Sequence, residues 1–96
     1  MKELFDSVSN RCSELVTKKY STSFSMAVNT LSPKIRADIY NIYGFVRFAD
    51  EIVDTFHDYN KEKLMAHFER DYYFAMEEGI SLNPILNSFQ QTVKKY

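Results

Sequence analysis

The chain has 96 residues, 45% of them hydrophobic and 16% aromatic, enough for one domain with a filled core. Twelve basic residues against thirteen acidic ones leave a net charge of −1, which excludes the basic footprint selected by nucleic acid or an anionic membrane surface. A single cysteine, Cys12, has no internal disulfide partner, and no apolar run reaches signal-peptide or membrane-span length, so a soluble cytoplasmic protein is expected.

The apolar residues then predict helices throughout and no strand. A first helix runs from about Glu3 to Lys19, with Leu4, Phe5, Val8, Cys12, Leu15 and Val16 at helical spacing. The run Tyr20-Ser21-Thr22-Ser23-Phe24 interrupts it, because clustered hydroxyl side chains compete for backbone hydrogen bonds. A short helix through Met26, Ala27 and Val28 follows and ends near Asn29-Thr30. Ser32-Pro33 opens the longest element, with a capping serine and a proline at the first helical position. From Pro33 to Thr55 the residues Ile35, Ile39, Ile42, Val46, Ala49, Val53 and Phe56 predict a stripe packed along most of the helix. Asn60 caps a further helix with Leu64, His67, Phe68, Tyr72 and Ala75 facing inward, closed by Gly79. Asn83-Pro84 repeats the cap-plus-proline signal before Ile85, Leu86, Phe89 and Val93.

Beside the apolar stripe of the long helix runs another, Tyr43, Arg47, Asp50 and Asp54, whose steps of three and four place them on one face. Asp50 and Asp54 are like charges one turn apart, which costs a helix about 0.2–0.5 kcal/mol. Glu51 and Asp58 add to them near a helix C-terminus that prefers cations, and no lysine or arginine lies between Phe48 and Asn60. Local conflict of this kind is expected where function overrides stability. A bound cation removes it. Oxygen-only ligands on one helix suit magnesium, which shares its other positions with water and substrate phosphates. A diphosphate ester fits, with the metal neutralising the leaving group while an apolar chain lies along the neighbouring stripe. A lone D-x-x-x-D is more often a solvated acidic face, so on these residues alone metal binding is the minority reading. Asp54 and His57 also spell D-x-x-H, but a di-iron bundle needs two such motifs and further glutamates. Only one is present.

Tyr-Ser-Thr-Ser-Phe (20–24), Leu-Ser-Pro-Lys-Ile-Arg (31–36), Tyr-Gly-Phe-Val-Arg-Phe-Ala-Asp-Glu-Ile-Val-Asp (43–54) and the segment from Asn83 to Tyr96 stand in the order and spacing of the squalene/phytoene synthases, which the chain resembles over nearly its whole length. The Asp-Glu-Ile-Val-Asp form resembles phytoene synthases more than squalene synthases, with hydroxysqualene and dehydrosqualene synthases as alternatives. The resemblance implies an all-α terpenoid-synthase fold of which residues 1–96 are the N-terminal part. It also implies a cavity for two geranylgeranyl diphosphates and magnesium, for which manganese can substitute. One substrate ionises, the other captures the allylic cation as a cyclopropylcarbinyl diphosphate, and rearrangement gives phytoene without NADPH.

By position, Asp50 and Asp54 are then the first aspartate-rich motif and the metal ligands, and Arg47 contacts diphosphate. Ser21, Ser23 and Phe24 line the substrate entrance, although the serines could equally serve to bend the backbone. Tyr43 flanks the cavity and steadies cationic intermediates with its ring face. Tyr20 is a weaker candidate for diphosphate contact, since some relatives carry histidine there. His57 and His67 are read as ordinary residues. The family's second aspartate-rich motif is expected beyond Tyr96, so residues 1–96 alone are expected to be inactive. They should also carry one uncovered apolar flank on the long helix and tend to self-associate. Peripheral membrane association is expected of the full enzyme. The alternative is a non-catalytic helical assembly module with the same fold.

Overall fold

Capping chemistry sets where each helix starts and stops. The computed structural model describes residues 1–96, which form α1 (Lys2–Tyr20), α2 (Thr22–Val28), α3 (Pro33–Asp54), α4 (Lys61–Glu78) and α5 (Pro84–Lys95). α1 stops because Ser21 turns to an extended conformation, φ −150° and ψ 93°. The Ser21 hydroxyl then accepts the Phe24 N–H at 3.2 Å and so starts α2. The predicted five-residue interruption is therefore a single residue, and Ser23 and Phe24 lie inside α2. Pro33 occupies the start of α3 as predicted, but the Ser32 side chain makes no capping bond. The Asn60 side chain caps α4 through the Lys63 N–H, and Gly79 closes it at φ 74°. Asn83 caps α5 through the N–H groups of Ile85 and Leu86.

α1, α3 and α5 form the central three-helix layer, α4 closes against α3 and α5, and α2 lies on α1. The face that α1 buries is not the apolar one. Ser9, Ser13 and Thr17 are fully buried, whereas Leu4, Val8 and Leu15 are exposed. Small hydroxyl side chains allow close helix approach, and each finds a partner within reach. Ser13 Oγ lies 2.7 Å from Ser88 Oγ, and Asn87 Nδ2 donates to Ser9 Oγ at 3.1 Å and to Asp6 at 3.0 Å. Asn41 Nδ2 donates to Asn10 Oδ1 and Thr92 Oγ1, both at 3.0 Å, and so joins α3 to both neighbours. Gly44 faces Ser13, where a Cβ would stand 3.1 Å from Oγ. This polar seam satisfies buried donors and hydroxyls that would otherwise cost about 1–3 kcal/mol each, and leaves Asn41 Oδ1 without a partner.

The apolar part of the core lies on the other side. Phe45 of α3 stacks on Phe89 of α5 at 4.0 Å between ring centroids, with Phe68 and Tyr72 of α4 at 5.6 Å. Ile52, Ala75, Ile85 and Leu86 fill in around them. On α3 the packed face is Asp38, Tyr40, Asn41, Gly44 and Ile52. The predicted packed stripe turns outward instead, with Ile35, Ile42, Val46 and Val53 all exposed. The uncovered flank expected of this helix is thus present, and it takes in most of the apolar stripe. In α4, Phe68, Tyr72 and Ala75 face inward as predicted, but Leu64 and His67 are exposed. No helix is long and apolar enough to cross a membrane.

Asp38 is the other long-range tie. Its side chain is 5% exposed and takes hydrogen bonds from Lys95 Nζ and Tyr96 OH, each at 2.7 Å. Burial pushes its carboxyl up, and the bonds from Lys95 and Tyr96 outweigh this and hold it below the ordinary carboxylate value. Asp6 is lowered in the same way, with burial outweighed by Asn87 and Lys2. A depressed folded-state pKa stabilises the fold above the unfolded value, near 4, and this contribution is lost as pH falls through the folded value. Melting temperature should therefore drop as the pH is lowered below about 4, and Asp38→Asn should flatten that drop. An unchanged acid profile in Asp38→Asn would show that the tie contributes nothing.

Candidate functional site

The C-terminal half of α3 and the α1–α2 junction bring the candidate residues together on one side of the bundle. The stretch of about three turns from Tyr43 to Asp54 presents them in order along α3, while the single-residue break at Ser21 swings α2 back so that Phe24 reaches Tyr43. Those two rings stack at 5.1 Å with 24° between their planes. Together with Ile39, Ile42 and Val46 they line a shallow, wholly apolar recess of about 220 Å³. The outward-facing stripe of α3 therefore leads straight into Tyr43.

One turn further along, Arg47 Nη2 donates to Glu51 Oε2 at 2.9 Å, with the two side chains 24% and 16% exposed. The Tyr20 ring covers the guanidinium at 4.9 Å. The neighbouring Thr55, Arg47 and Tyr20 side chains hold the Glu51 carboxyl below the ordinary range despite burial. The Glu51 hydrogen bond raises the Arg47 pKa. Burial and the same carboxylate raise that of Tyr20. Arg47 Nε is buried without a hydrogen-bond partner.

Asp50 and Asp54 stand apart from this network. Both are exposed on α3, and neither makes a hydrogen bond or ion pair within the protein. The negative end of α3 is relieved instead by Lys61, whose Nζ donates to the Val53 carbonyl. No three histidine, cysteine or acidic side chains converge anywhere in the fold. Two uncommitted carboxylates one turn apart nevertheless fit a hard divalent cation that keeps waters and takes further oxygens from a ligand. Ser21 spends its hydroxyl on the α2 cap, while the Ser23 hydroxyl is exposed and unengaged.

Sequence reasoning left Glu51 outside the site residues. Glu51 was legible in part, since it lies four residues after Arg47, but Asp50 competed for the same partner. Tyr20, the weaker candidate for diphosphate contact, lies with its ring over Arg47.

A family model described as squalene/phytoene synthase matches residues 17–96. No curated protein and no solved structure matches the chain. The matched span takes in α2 to α5 entire, the last turn of α1 and all of the candidate residues. With that span covering most of its length, the chain belongs to the squalene/phytoene synthase family, a prenyltransferase family with an all-α terpenoid-synthase fold.

Proposed function

We propose that the protein acts in phytoene synthesis, with Asp50 and Asp54 holding magnesium against the diphosphate of a geranylgeranyl substrate. The observation that carries this reading is the free acidic pair at the end of an exposed apolar stripe. Magnesium supplies Lewis-acid stabilisation of the departing diphosphate. Arg47 adds a fixed positive charge beside it, and the stripe with the Phe24–Tyr43 recess accepts the start of the isoprenoid chain. The Tyr43 ring face borders the carbon skeleton, where an electron-rich surface favours a developing allylic cation. Ser23, next to Phe24 in sequence and with its hydroxyl exposed and unengaged, is left free to contact substrate in this reading, and Ser21 shapes the backbone there. A squalene-type product is the alternative outcome of the same chemistry. A non-catalytic assembly module would give Asp50 and Asp54 nothing to do.

The assay is product analysis with magnesium and either geranylgeranyl or farnesyl diphosphate, in a catalytically competent protein carrying this segment. A forty-carbon product supports the phytoene reading; a thirty-carbon product from farnesyl diphosphate alone would replace it with the squalene-type one. Residues 1–96 by themselves should give no turnover. Their recess is smaller than the roughly 300–1,000 Å³ that enclose a drug-sized ligand. The recess is also open to solvent, so a cationic intermediate there would be quenched by water. Phytoene formed by the 96-residue chain would contradict this.

A further inference from the structure

We infer that Glu51 and Tyr20 are positioning residues that hold the Arg47 guanidinium in place for a diphosphate, Glu51 from its edge and Tyr20 from its face. The inference rests on the reading of Arg47 as a diphosphate contact and assigns the two side chains that make it one. An arginine at a helix surface has many rotamers, and ordering such a side chain on binding costs about 0.5–1.5 kcal/mol. Here the cost is met before any ligand arrives. Glu51 Oε2 fixes Nη2 at 2.9 Å, and the Tyr20 ring lies 4.9 Å from the guanidinium carbon. The Arg47–Glu51 pair is itself largely withdrawn from solvent, with side chains 24% and 16% exposed, so the carboxylate has little room to move away. Nη2 is the only guanidinium nitrogen bonded to the protein, and Nε is buried with no partner. The clamp thus orders the group while leaving N–H donors for an anion, which a planar guanidinium binds through paired bonds.

A simple surface ion pair makes the opposite prediction about charge. Glu51 is an anion beside a site for an anion, so removing it should tighten diphosphate binding if electrostatics were its whole effect.

The test titrates inorganic diphosphate, with and without magnesium, into the 96-residue chain and its variants, following affinity and the Arg47 Nε–H resonance by NMR. Glu51→Ala and Tyr20→Leu should each weaken binding by about 3–10-fold, matching one side chain's ordering cost, and should broaden the Arg47 signal while circular dichroism stays unchanged. Glu51→Gln keeps an acceptor oxygen and Tyr20→Phe keeps the ring, so each should restore most of the affinity. Tighter or unchanged binding in Glu51→Ala, with Arg47→Met still weakening it, would overturn the positioning role and leave Arg47 as a ligand contact. If Arg47→Met has no effect, the reading of Arg47 as a diphosphate contact fails instead, and the positioning role fails with it.

Discussion

Asp54→Asn is expected to lower prenyl diphosphate turnover by about 10³-fold or more in a competent protein, while leaving its helical content intact. A metal-held leaving group gains several kcal/mol in the transition state, and each 1.36 kcal/mol is a factor of ten in rate. A carboxamide keeps the shape of the side chain but withdraws the charge that grips the cation. The same change should stabilise α3 slightly. It removes a like-charge pair with Asp50, worth about 0.2–0.5 kcal/mol, and an anion at the negative end of the helix dipole. Activity and stability should therefore move in opposite directions. That signature separates a ligand from a structural acid, whose loss would lower both. Asp50→Asn should behave alike. Retained turnover in either variant would remove the metal-ligand role from that residue.

Gly44→Val should have the largest effect on stability, costing about 1–3 kcal/mol through overpacking. A Cβ at this position would lie 3.1 Å from Ser13 Oγ and 3.2 Å from Ser13 Cβ, so Ser13 must give by a few tenths of an ångström, and the two γ-methyls of valine add to the crowding between α1 and α3. Displacing α1 also pulls Ser13 from Ser88 and strains the Asn87–Ser9 bond, since all sit on the same seam. For a domain of this size each kcal/mol moves the melting temperature by about 4–8 °C. A fall of about 10 °C is expected from a scan by circular dichroism. Ser13→Ala, which removes one hydrogen bond and no volume conflict, should cost only about 1 kcal/mol. An unchanged melting temperature in Gly44→Val would mean that α1 and α3 do not meet at this distance.

The helices themselves were legible because their ends carry local chemistry. Asn60, Asn83, Pro33, Pro84 and Gly79 act within a few residues of themselves, and each does what its type predicts. The faces were harder to read, because periodicity gives a stripe without saying which side another helix will cover. On α1 the interior went to Ser9, Ser13 and Thr17, whose small size lets α3 and α5 come close; the Ser9 and Ser13 hydroxyls are satisfied across the seam, and that of Thr17 by the Ser13 carbonyl within α1. Hydrophobicity gave no sign of this. On α3, Ile42 and Val46 look like core residues yet face outward, while Asp38 and Asn41 are buried with partners more than thirty residues away. Such long-range partners leave no trace in local spacing. The acidic pair was legible because it violates the rules for a stable helix. The Glu51–Tyr20 clamp on Arg47 was not, since it depends on the angle at which α1 ends.

The central claim is that Asp50 and Asp54 together bind magnesium on a diphosphate. Its most direct test is calorimetric titration of a non-hydrolysable geranylgeranyl diphosphate analogue into the 96-residue chain, with and without magnesium, beside the Asp50→Asn/Asp54→Asn double variant. Saturable heat that requires magnesium and vanishes in the double variant is the predicted result. Binding of equal strength in the double variant, or none in the unmodified chain, would contradict it.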